Sequence, residues 1–182
     1  MKKIIFIDRD GVVNVDLMDY VTKWEDFQFE EGAIEALQLI SRMGLEIIMI
    51  SNQAGVGDGL FSEDILWEIH HKMLAELKRH GVSIRDAMYC IHGKDEKCKC
   101  RKPEVGLLEE AVKDIQYDPQ KTYMIGDKVS DILAGKRFGL KTILVRTGYG
   151  RRDETRLTEE SRPDAVCDNL RSAVEILKKG IR

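Results

Sequence analysis

Residues 4–11 of this chain read Ile-Ile-Phe-Ile-Asp-Arg-Asp-Gly. Four bulky apolar residues predict a strand that is buried in a sheet. The run ends abruptly in two carboxylates, Asp8 and Asp10, which are followed by Gly11. Two acidic groups at the end of a buried strand repel each other, and burial raises the cost of ionising each of them. The sequence therefore predicts that a cation, either a metal ion or a lysine, joins the pair.

Strand-like and helix-like segments alternate along the rest of the chain. Further strands are predicted at residues 45–50, 87–91, 122–125, 142–145 and 165–167. Helical spacing of apolar residues predicts helices at 32–44, 62–81, 108–115, 130–138 and 170–177. Residues 8–31 are expected to form a flap, and residues 54–59 and 148–162 are expected to be loops. This alternation predicts the α/β class, with a Rossmann-like doubly wound parallel sheet in one domain spanning residues 1–182.

Polar residues follow three of the predicted strands at the point where each strand ends. They are Asp8, Asp10, Ser51, Asn52 and Asp127. In doubly wound sheets, ligands bind beyond the carboxyl ends of the strands, where the winding reverses direction. If the first strand is central and lies between the second and the fourth, these side chains converge in one crevice.

The converging side chains suit a phosphate ester bound with magnesium. Carboxylate oxygens without histidine favour Mg²⁺ over zinc or copper. Ser51 and Asn52 supply neutral donors to phosphate, and Lys102, which follows the third strand, supplies a positive charge. One carboxylate can attack phosphorus and form an aspartyl-phosphate, while a second protonates the leaving alcohol and later activates water.

Taken together, these residues resemble a known enzyme superfamily. The pattern is Asp8-x-Asp10-Gly11, Ser51, Lys102 and Gly126-Asp127-x-x-x-Asp131. It resembles the four motifs of the haloacid dehalogenase (HAD) superfamily of phosphatases over essentially the whole chain. The resemblance implies that Asp8 is the nucleophile and Asp10 the general acid/base. It also implies that Ser51 and Lys102 bind phosphate, and that Mg²⁺ is held by Asp8, Asp127 and the backbone carbonyl of Asp10.

A second cluster of metal-binding residue types lies between the third strand and Lys102. It consists of Cys90, His92, Cys98 and Cys100. Three thiolates and an imidazole complete a closed tetrahedral Zn²⁺ site, and a site with no open position is structural. Such a zinc-binding loop would fix the approach of Arg101 and Lys102 to the crevice. Clustered cysteines also favour a metal site in a reducing compartment over a disulfide framework.

The zinc-binding loop is similar to that of one branch of the superfamily, the heptose bisphosphate phosphatases and the histidinol-phosphate phosphatases. Residues 51–55, 59–63 and 147–150 resemble the heptose enzymes, whereas the short spacing from His92 to Cys98 resembles the histidinol-phosphate enzymes. Similarity to the heptose enzymes implies four substrate-binding residues, namely Asn52, Gln53, Arg101 and Lys128. The segments after the first two strands are too short for an inserted cap domain, so a capless enzyme is expected.

Composition narrows the remaining function classes. The net charge is -3, with 29 basic and 32 acidic residues spread along the chain, so nucleic acid is not an expected partner. The apolar run after Met1 is too short for a secretory or membrane segment, and a cytoplasmic monomer without a membrane partner is expected.

We predict a Mg²⁺-dependent phosphomonoesterase acting on a small phosphorylated metabolite. The favoured substrate is D-glycero-D-manno-heptose 1,7-bisphosphate, cleaved at the 7-phosphate. A histidinol-phosphate phosphatase, a phosphotransferase and a non-catalytic zinc module are the alternatives.

Overall fold

The computed structural model describes residues 1–180 and contains a six-stranded sheet with the strand order β3-β2-β1-β4-β5-β6. The strands are β1 (Ile4–Ile7), β2 (Glu46–Asn52), β3 (Ile84–Cys90), β4 (Tyr123–Gly126), β5 (Lys141–Val145) and β6 (Ala165–Cys167). Every neighbouring pair is parallel. The sheet therefore confirms the predicted doubly wound α/β class.

Helices cover both faces of the sheet. They are α1 (Ala33–Arg42), α2 (Ala54–Gly57), α3 (Glu63–Arg79), α4 (Gly106–Val112), α5 (Val129–Arg137), α6 (Gly150–Glu154) and α7 (Leu170–Lys179). Buried residues of α1, α3 and α7 pack on one face, and those of α4 and α5 pack on the other. Among residues 1–180, none of the helices has the length and apolar character needed to cross a membrane.

Strand β1 is the centre of both cores. Ile5 and Ile7 belong to the core on the α1, α3 and α7 side, whereas Ile4 and Phe6 belong to the core on the α4 and α5 side. All four side chains are fully buried. Alternate residues of a strand point to opposite faces, so a strand covered on both faces requires the uninterrupted apolar run that begins this chain.

The strand order places the sequence motifs together. The central strand β1 pairs with β2 on one side and with β4 on the other, as expected. The chain leaves β1 towards one edge of the sheet and returns to build the other edge. The winding therefore reverses beside β1, and the crevice opens beyond its carboxyl end, where Asp8 and Asp10 lie.

Two segments that were expected to be loops contain short helices. Residues 54–57 form α2 despite their glycines, because packing overrides weak helix propensity. Gly55 lies so close to Phe61 that a Cβ would be 2.5 Å from that ring. Residues 150–154 form α6, in which the buried Asp153 accepts a hydrogen bond from the Val129 backbone N–H. Polarity predicted a loop there, but this long-range hydrogen bond anchors a helical turn instead.

Candidate active site

A pocket of about 450 Å³ lies beyond the carboxyl end of β1. Seven of the predicted site residues line it: Asp8, Asp10, Ser51, Asn52, Arg101, Lys102 and Lys128. Two others, Gln53 and Asp127, are buried and lie outside the pocket lining. The structure thus brings the separate sequence motifs into one site.

Lys102 is the cation that meets Asp8. Its ammonium lies 2.9 Å from Asp8 Oδ1 and 2.6 Å from Asp131 Oδ1, and it donates to the Ile50 carbonyl at 2.6 Å. The Lys102 backbone is held by Asn52, whose amide donates to the Lys102 carbonyl and accepts from its N–H, each at 3.0 Å. Asn52 therefore joins the end of β2 to the segment that carries Lys102.

The Asp10 carboxylate is held in place by several hydrogen bonds. It accepts from the guanidinium of Arg9 and from the side-chain amides of Asn14 and Gln53. Burial acts to raise the pKa of Asp10, but the charge of Arg9 and the Asn14 hydrogen bond outweigh it and lower that pKa below its usual value. The backbone carbonyl of Asp10 is left to face the crevice.

Lys128 lies where the candidate magnesium ligands meet. Its ammonium is 3.4 Å from Asp127 Oδ1, 4.0 Å from Asp8 Oδ2 and 3.5 Å from the Asp10 carbonyl oxygen. It also pairs with Asp16 Oδ2 at 3.0 Å. Burial lowers the pKa of Lys128, but the surrounding carboxylates outweigh that effect and raise it above its usual value. Lys128 therefore carries a full positive charge beside the phosphate site.

Asp127 is fully buried and closely surrounded by backbone. Its Oδ2 accepts from the Tyr149 N–H at 2.8 Å, and it packs against Gly11 and Gly148, which have φ values of +88° and +51°. A Cβ at either glycine would collide with this carboxylate. The other oxygen, Oδ1, accepts no hydrogen bond from residues 1–180. Burial raises the pKa of Asp127, and Asp8 raises it further against the opposing charge of Lys128.

The charges around Asp8 favour a divalent cation. Within residues 1–180, five largely buried carboxylates face three cations there. The carboxylates are those of Asp8, Asp10, Asp16, Asp127 and Asp131, and the cations are Arg9, Lys102 and Lys128. Among these directly paired groups the carboxylates outnumber the cations by two, and an all-oxygen set of ligands suits Mg²⁺. Asp8, Asp127 and Asp131 have oxygens within 4.8 Å of one another. Both oxygens of Asp131 are engaged, by Lys102 and by the Lys128 N–H, whereas Asp127 Oδ1 accepts no hydrogen bond within residues 1–180, so the residues fit Mg²⁺ on Asp8, Asp127 and the Asp10 carbonyl.

We expect Asp127→Asn to raise the melting temperature of the metal-free protein by at least about 2 °C and to abolish further stabilisation by Mg²⁺. The pKa of Asp127 is raised in the folded protein. Ionising Asp127 therefore lowers the free energy of unfolding at every pH above the pKa of the unfolded state. The loss reaches its full size above the pKa of the folded state. Thermal melts with and without Mg²⁺ measure both effects. The matched control is Asp153→Asn, a buried carboxylate paired with Arg152, which should keep the Mg²⁺ response. A normal Mg²⁺ shift in Asp127→Asn would contradict the ligand assignment.

The predicted zinc ligands also come together. Cys90 Sγ lies 3.6 Å from Cys98 Sγ, 3.0 Å from Cys100 Sγ and 3.7 Å from His92 Nδ1. His92 Nδ1 is 3.1 Å from Cys100 Sγ. Tetrahedral zinc with ordinary bond lengths requires ligand separations of about 3.6–3.8 Å. The separations from Cys90 to Cys98 and to His92 match this range, and the two contacts of Cys100 are shorter, so the four atoms form a cluster that could hold Zn²⁺.

The zinc-binding loop delivers Arg101 to the pocket. Arg101 directly follows Cys100 and lines the pocket beside Lys102. Its Nη1 atom is buried and makes no hydrogen bond within residues 1–180. A buried guanidinium donor without an acceptor is costly, so this atom is available to an acceptor on a bound ligand.

Several site residues were not predicted from the sequence. Arg9 and Asn14 bind the Asp10 carboxylate, and the pocket wall also contains Met18, Asp19, Tyr20, Lys94, Ser130, Tyr149 and Arg152. The Arg152 guanidinium lies 3.9 Å from the Tyr149 ring centroid. No periodic signal marks these positions, because most of their side chains reach the pocket from loops or from α6, and Ser130 lies in the first turn of α5. The flap aromatics Trp24, Phe27 and Phe29 pack on the core and do not line the pocket.

Comparisons with known proteins agree with this geometry. The HAD-hydrolase-like family profile matches residues 99–173. A D-glycero-beta-D-manno-heptose-1,7-bisphosphate 7-phosphatase of Pasteurella multocida is 44% identical over 98% of each chain. A D-glycero-alpha-D-manno-heptose-1,7-bisphosphate 7-phosphatase of Photorhabdus laumondii is 38% identical over 92% of this chain and 91% of its own. The solved D,D-heptose 1,7-bisphosphate phosphatase of B. bronchiseptica, complexed with magnesium and phosphate, superposes with a TM-score of 0.89 at 31% identity and covers 97% of this chain and 98% of that chain.

Proposed function

This chain belongs to the D-glycero-D-manno-heptose-1,7-bisphosphate 7-phosphatase family of HAD-like hydrolases, and from that membership we propose that it is a phosphatase that removes the 7-phosphate of a heptose 1,7-bisphosphate. The observation that carries the proposal is the convergence of Asp8, Asp10 and Lys102 at the end of β1, in a pocket of about 450 Å³. The pocket accommodates a small phosphorylated metabolite.

The two aspartates have separate roles in the proposed reaction. An oxygen of Asp8 attacks phosphorus, the bond from phosphorus to the sugar oxygen breaks, and Asp10 gives a proton to the departing alkoxide. Asp10 then takes a proton from water, whose oxygen attacks the phosphoryl group on Asp8. The bond between phosphorus and Asp8 breaks, which regenerates the carboxylate and releases inorganic phosphate. Lys102 balances charge beside Asp8 throughout.

Mg²⁺ on Asp8, Asp127 and the Asp10 carbonyl would supply positive charge to the phosphate oxygens as negative charge develops on them. Ser51 and Lys102 are the proposed protein donors to the same phosphate. Zn²⁺ on the four ligands of the zinc-binding loop is proposed to be structural, because a closed site has no position for substrate. Its role is to hold Arg101 and Lys102 in place.

Charge at the pocket rim favours a bisphosphate over histidinol phosphate. Arg101, Lys94 and Arg152 all line the pocket, and Arg101 has a free buried donor. A second phosphate would pair with these cations, which histidinol phosphate, with its single phosphate, would leave without a partner. The short spacing from His92 to Cys98 is the observation that keeps histidinol phosphate as the competing substrate. Asn52 and Lys128 remain proposed substrate contacts.

We expect kcat/KM for heptose 1,7-bisphosphate to exceed kcat/KM for histidinol phosphate by at least about 100-fold. The measurement is inorganic phosphate release with Mg²⁺ and no added acceptor alcohol. Identification of the remaining sugar monophosphate establishes which phosphate leaves. A ratio in the opposite direction would favour the histidinol-phosphate alternative. Product formation that requires an added acceptor would identify a phosphotransferase.

A further inference from the structure

We propose that Arg9, supported by Tyr89 and His70, is a positioning residue that holds the Asp10 carboxylate in the orientation needed for proton transfer to the leaving group. The proposal rests on the assignment of Asp10 as the general acid/base in the proposed function. It gives a role to a buried arginine between the two catalytic aspartates. It also gives a role to His70, a buried residue of α3.

The Arg9 guanidinium donates hydrogen bonds to both oxygens of the Asp10 carboxylate. Its Nε donates to Asp10 Oδ1 at 3.1 Å, and its Nη2 donates to Oδ1 at 2.9 Å and to Oδ2 at 3.0 Å. Asn14 donates to Oδ1 at 2.9 Å, and Gln53 donates to Oδ2 at 2.6 Å. A planar guanidinium fixes both the position and the plane of a carboxylate, which a lysine cannot do.

The guanidinium itself has little freedom to move. Arg9 is 1% exposed, and its Cζ atom lies 5.8 Å from the centroid of the Tyr89 ring. The Tyr89 hydroxyl is 2.9 Å from Nδ1 of the buried His70. Trp67 packs edge-on against both rings, with centroid distances of 5.2 Å to His70 and 5.8 Å to Tyr89. A row of contacts therefore runs from α3 through β3 to the catalytic aspartate.

Different cations hold the Asp8 and Asp10 carboxylates. Lys102 pairs with Asp8 at 2.9 Å, whereas Arg9 pairs with Asp10 at 2.9 Å. Lys128 lies within 3.5 Å of the Asp10 carbonyl oxygen, so an Asp10 side chain released by Arg9 has a competing cation close by. Rotation towards Lys128 would remove the proton donor from the leaving oxygen, and misplacement by about 1 Å can cost about 100-fold in rate.

The same contacts give Gln53 a second proposed role. Resemblance to the heptose enzymes implied a substrate contact for this residue, which is 1% exposed. Its amide nitrogen is bound to Asp10 Oδ2 at 2.6 Å and to Ser51 Oγ at 3.1 Å. We therefore place Gln53 with Arg9 as a residue that acts through Asp10.

The test measures how each variant depends on the leaving group. A sugar phosphate releases a poor leaving group that needs a proton, whereas p-nitrophenyl phosphate releases a phenolate that departs without one. For Arg9→Lys, we expect kcat/KM to fall at least about 30-fold on heptose 1,7-bisphosphate and less than about threefold on p-nitrophenyl phosphate. Tyr89→Phe keeps the ring and removes only the hydroxyl, so the same selective loss is expected at about three- to tenfold. It provides the test if Arg9→Lys does not fold.

Arg85→Lys is the matched control, because Arg85 lies on the same strand as Tyr89 but pairs with Glu46 at the surface. It should leave both rates unchanged. Equal losses on the two substrates in Arg9→Lys and Tyr89→Phe would overturn the proposal, since damage to the fold or to metal binding affects both reactions alike. Asp10→Asn separates the two levels of inference. If Asp10→Asn also loses equal activity on the two substrates, the role of Asp10 as the acid in the proposed function is wrong. If Asp10→Asn loses activity mainly on the sugar phosphate and the Arg9 and Tyr89 variants do not, only the positioning role is wrong.

Discussion

Asp8→Asn is expected to lower kcat/KM for Mg²⁺-dependent phosphate release by at least about 10³-fold. An amide cannot form the aspartyl-phosphate, so the effect should be equally large on sugar phosphates and on p-nitrophenyl phosphate. The fold should survive, because an asparagine oxygen can still accept from the Arg9 N–H, as Asp8 Oδ1 does at 2.8 Å. Lys102 also keeps Asp131 and the Ile50 carbonyl as partners.

A phosphate-release assay with wild-type protein and both substrates measures the loss. The matched control is Asp114→Asn, which removes an exposed carboxylate outside the pocket lining and should keep full activity. The melting temperature and bound zinc of Asp8→Asn should stay close to wild type. Retention of phosphate release by Asp8→Asn would rule out Asp8 as the nucleophile and with it the proposed mechanism.

The second large effect is expected from Cys98→Ser. Loss of one thiolate should reduce bound zinc from near one per chain to well below it and lower the melting temperature by at least about 6 °C. The Cys90 and Cys100 sulfurs lie 3.0 Å apart, and a metal ion shared by the four ligands would hold the zinc-binding loop together. Because Arg101 and Lys102 follow this loop, the inhibition constant for inorganic phosphate should rise about tenfold.

Cys167→Ser is the matched control for the zinc prediction. Cys167 is also a free cysteine, buried where Cys98 is half-buried, but it lies in β6, away from the cluster. This variant should keep its zinc and its affinity for phosphate, whatever its effect on packing. A wild-type protein without zinc, or a Cys98→Ser variant with an unchanged melting temperature, would contradict a structural zinc site. Elemental analysis and thermal melts of the two variants make the comparison.

Local sequence signals predicted the elements of the fold well wherever burial and periodicity agree. The apolar run of β1 is one example. The helix predicted at residues 62–81 is another, since α3 forms at Glu63–Arg79 and begins after Ser62, which accepts from the Ile65 N–H. Signals of this kind failed in residues 54–57 and 150–154, where α2 and α6 form in segments rich in glycine or charge. Their helical turns depend on distant contacts, such as that between Asp153 and Val129. A local sequence pattern does not reveal such contacts.

The orientation of neighbouring polar side chains at the site could not be predicted from local sequence patterns. The sequence indicated that Asp8, Asp10 and Gln53 belong to one site. It did not indicate that Arg9 would hold the Asp10 carboxylate, or that Gln53 would be buried outside the pocket lining. Side-chain direction there depends on partners that are far apart in the chain, such as Gln53 and Asp10, which are separated by 43 positions. Residue type alone therefore identified the chemistry but not the division of roles.

The sequence by itself determined the sheet and the reaction class, and it predicted both sets of metal-binding residues. These follow from residue type, apolar spacing and short-range order, because a buried strand needs apolar residues and each metal selects its own ligand atoms. Only the tertiary structure decided that Lys102 forms an ion pair with Asp8 and Arg9 with Asp10, and that Arg152 of α6 lines the pocket. The reason is electrostatic: several buried carboxylates compete for few cations, and the pairing that results depends on where the folded backbone places each of them.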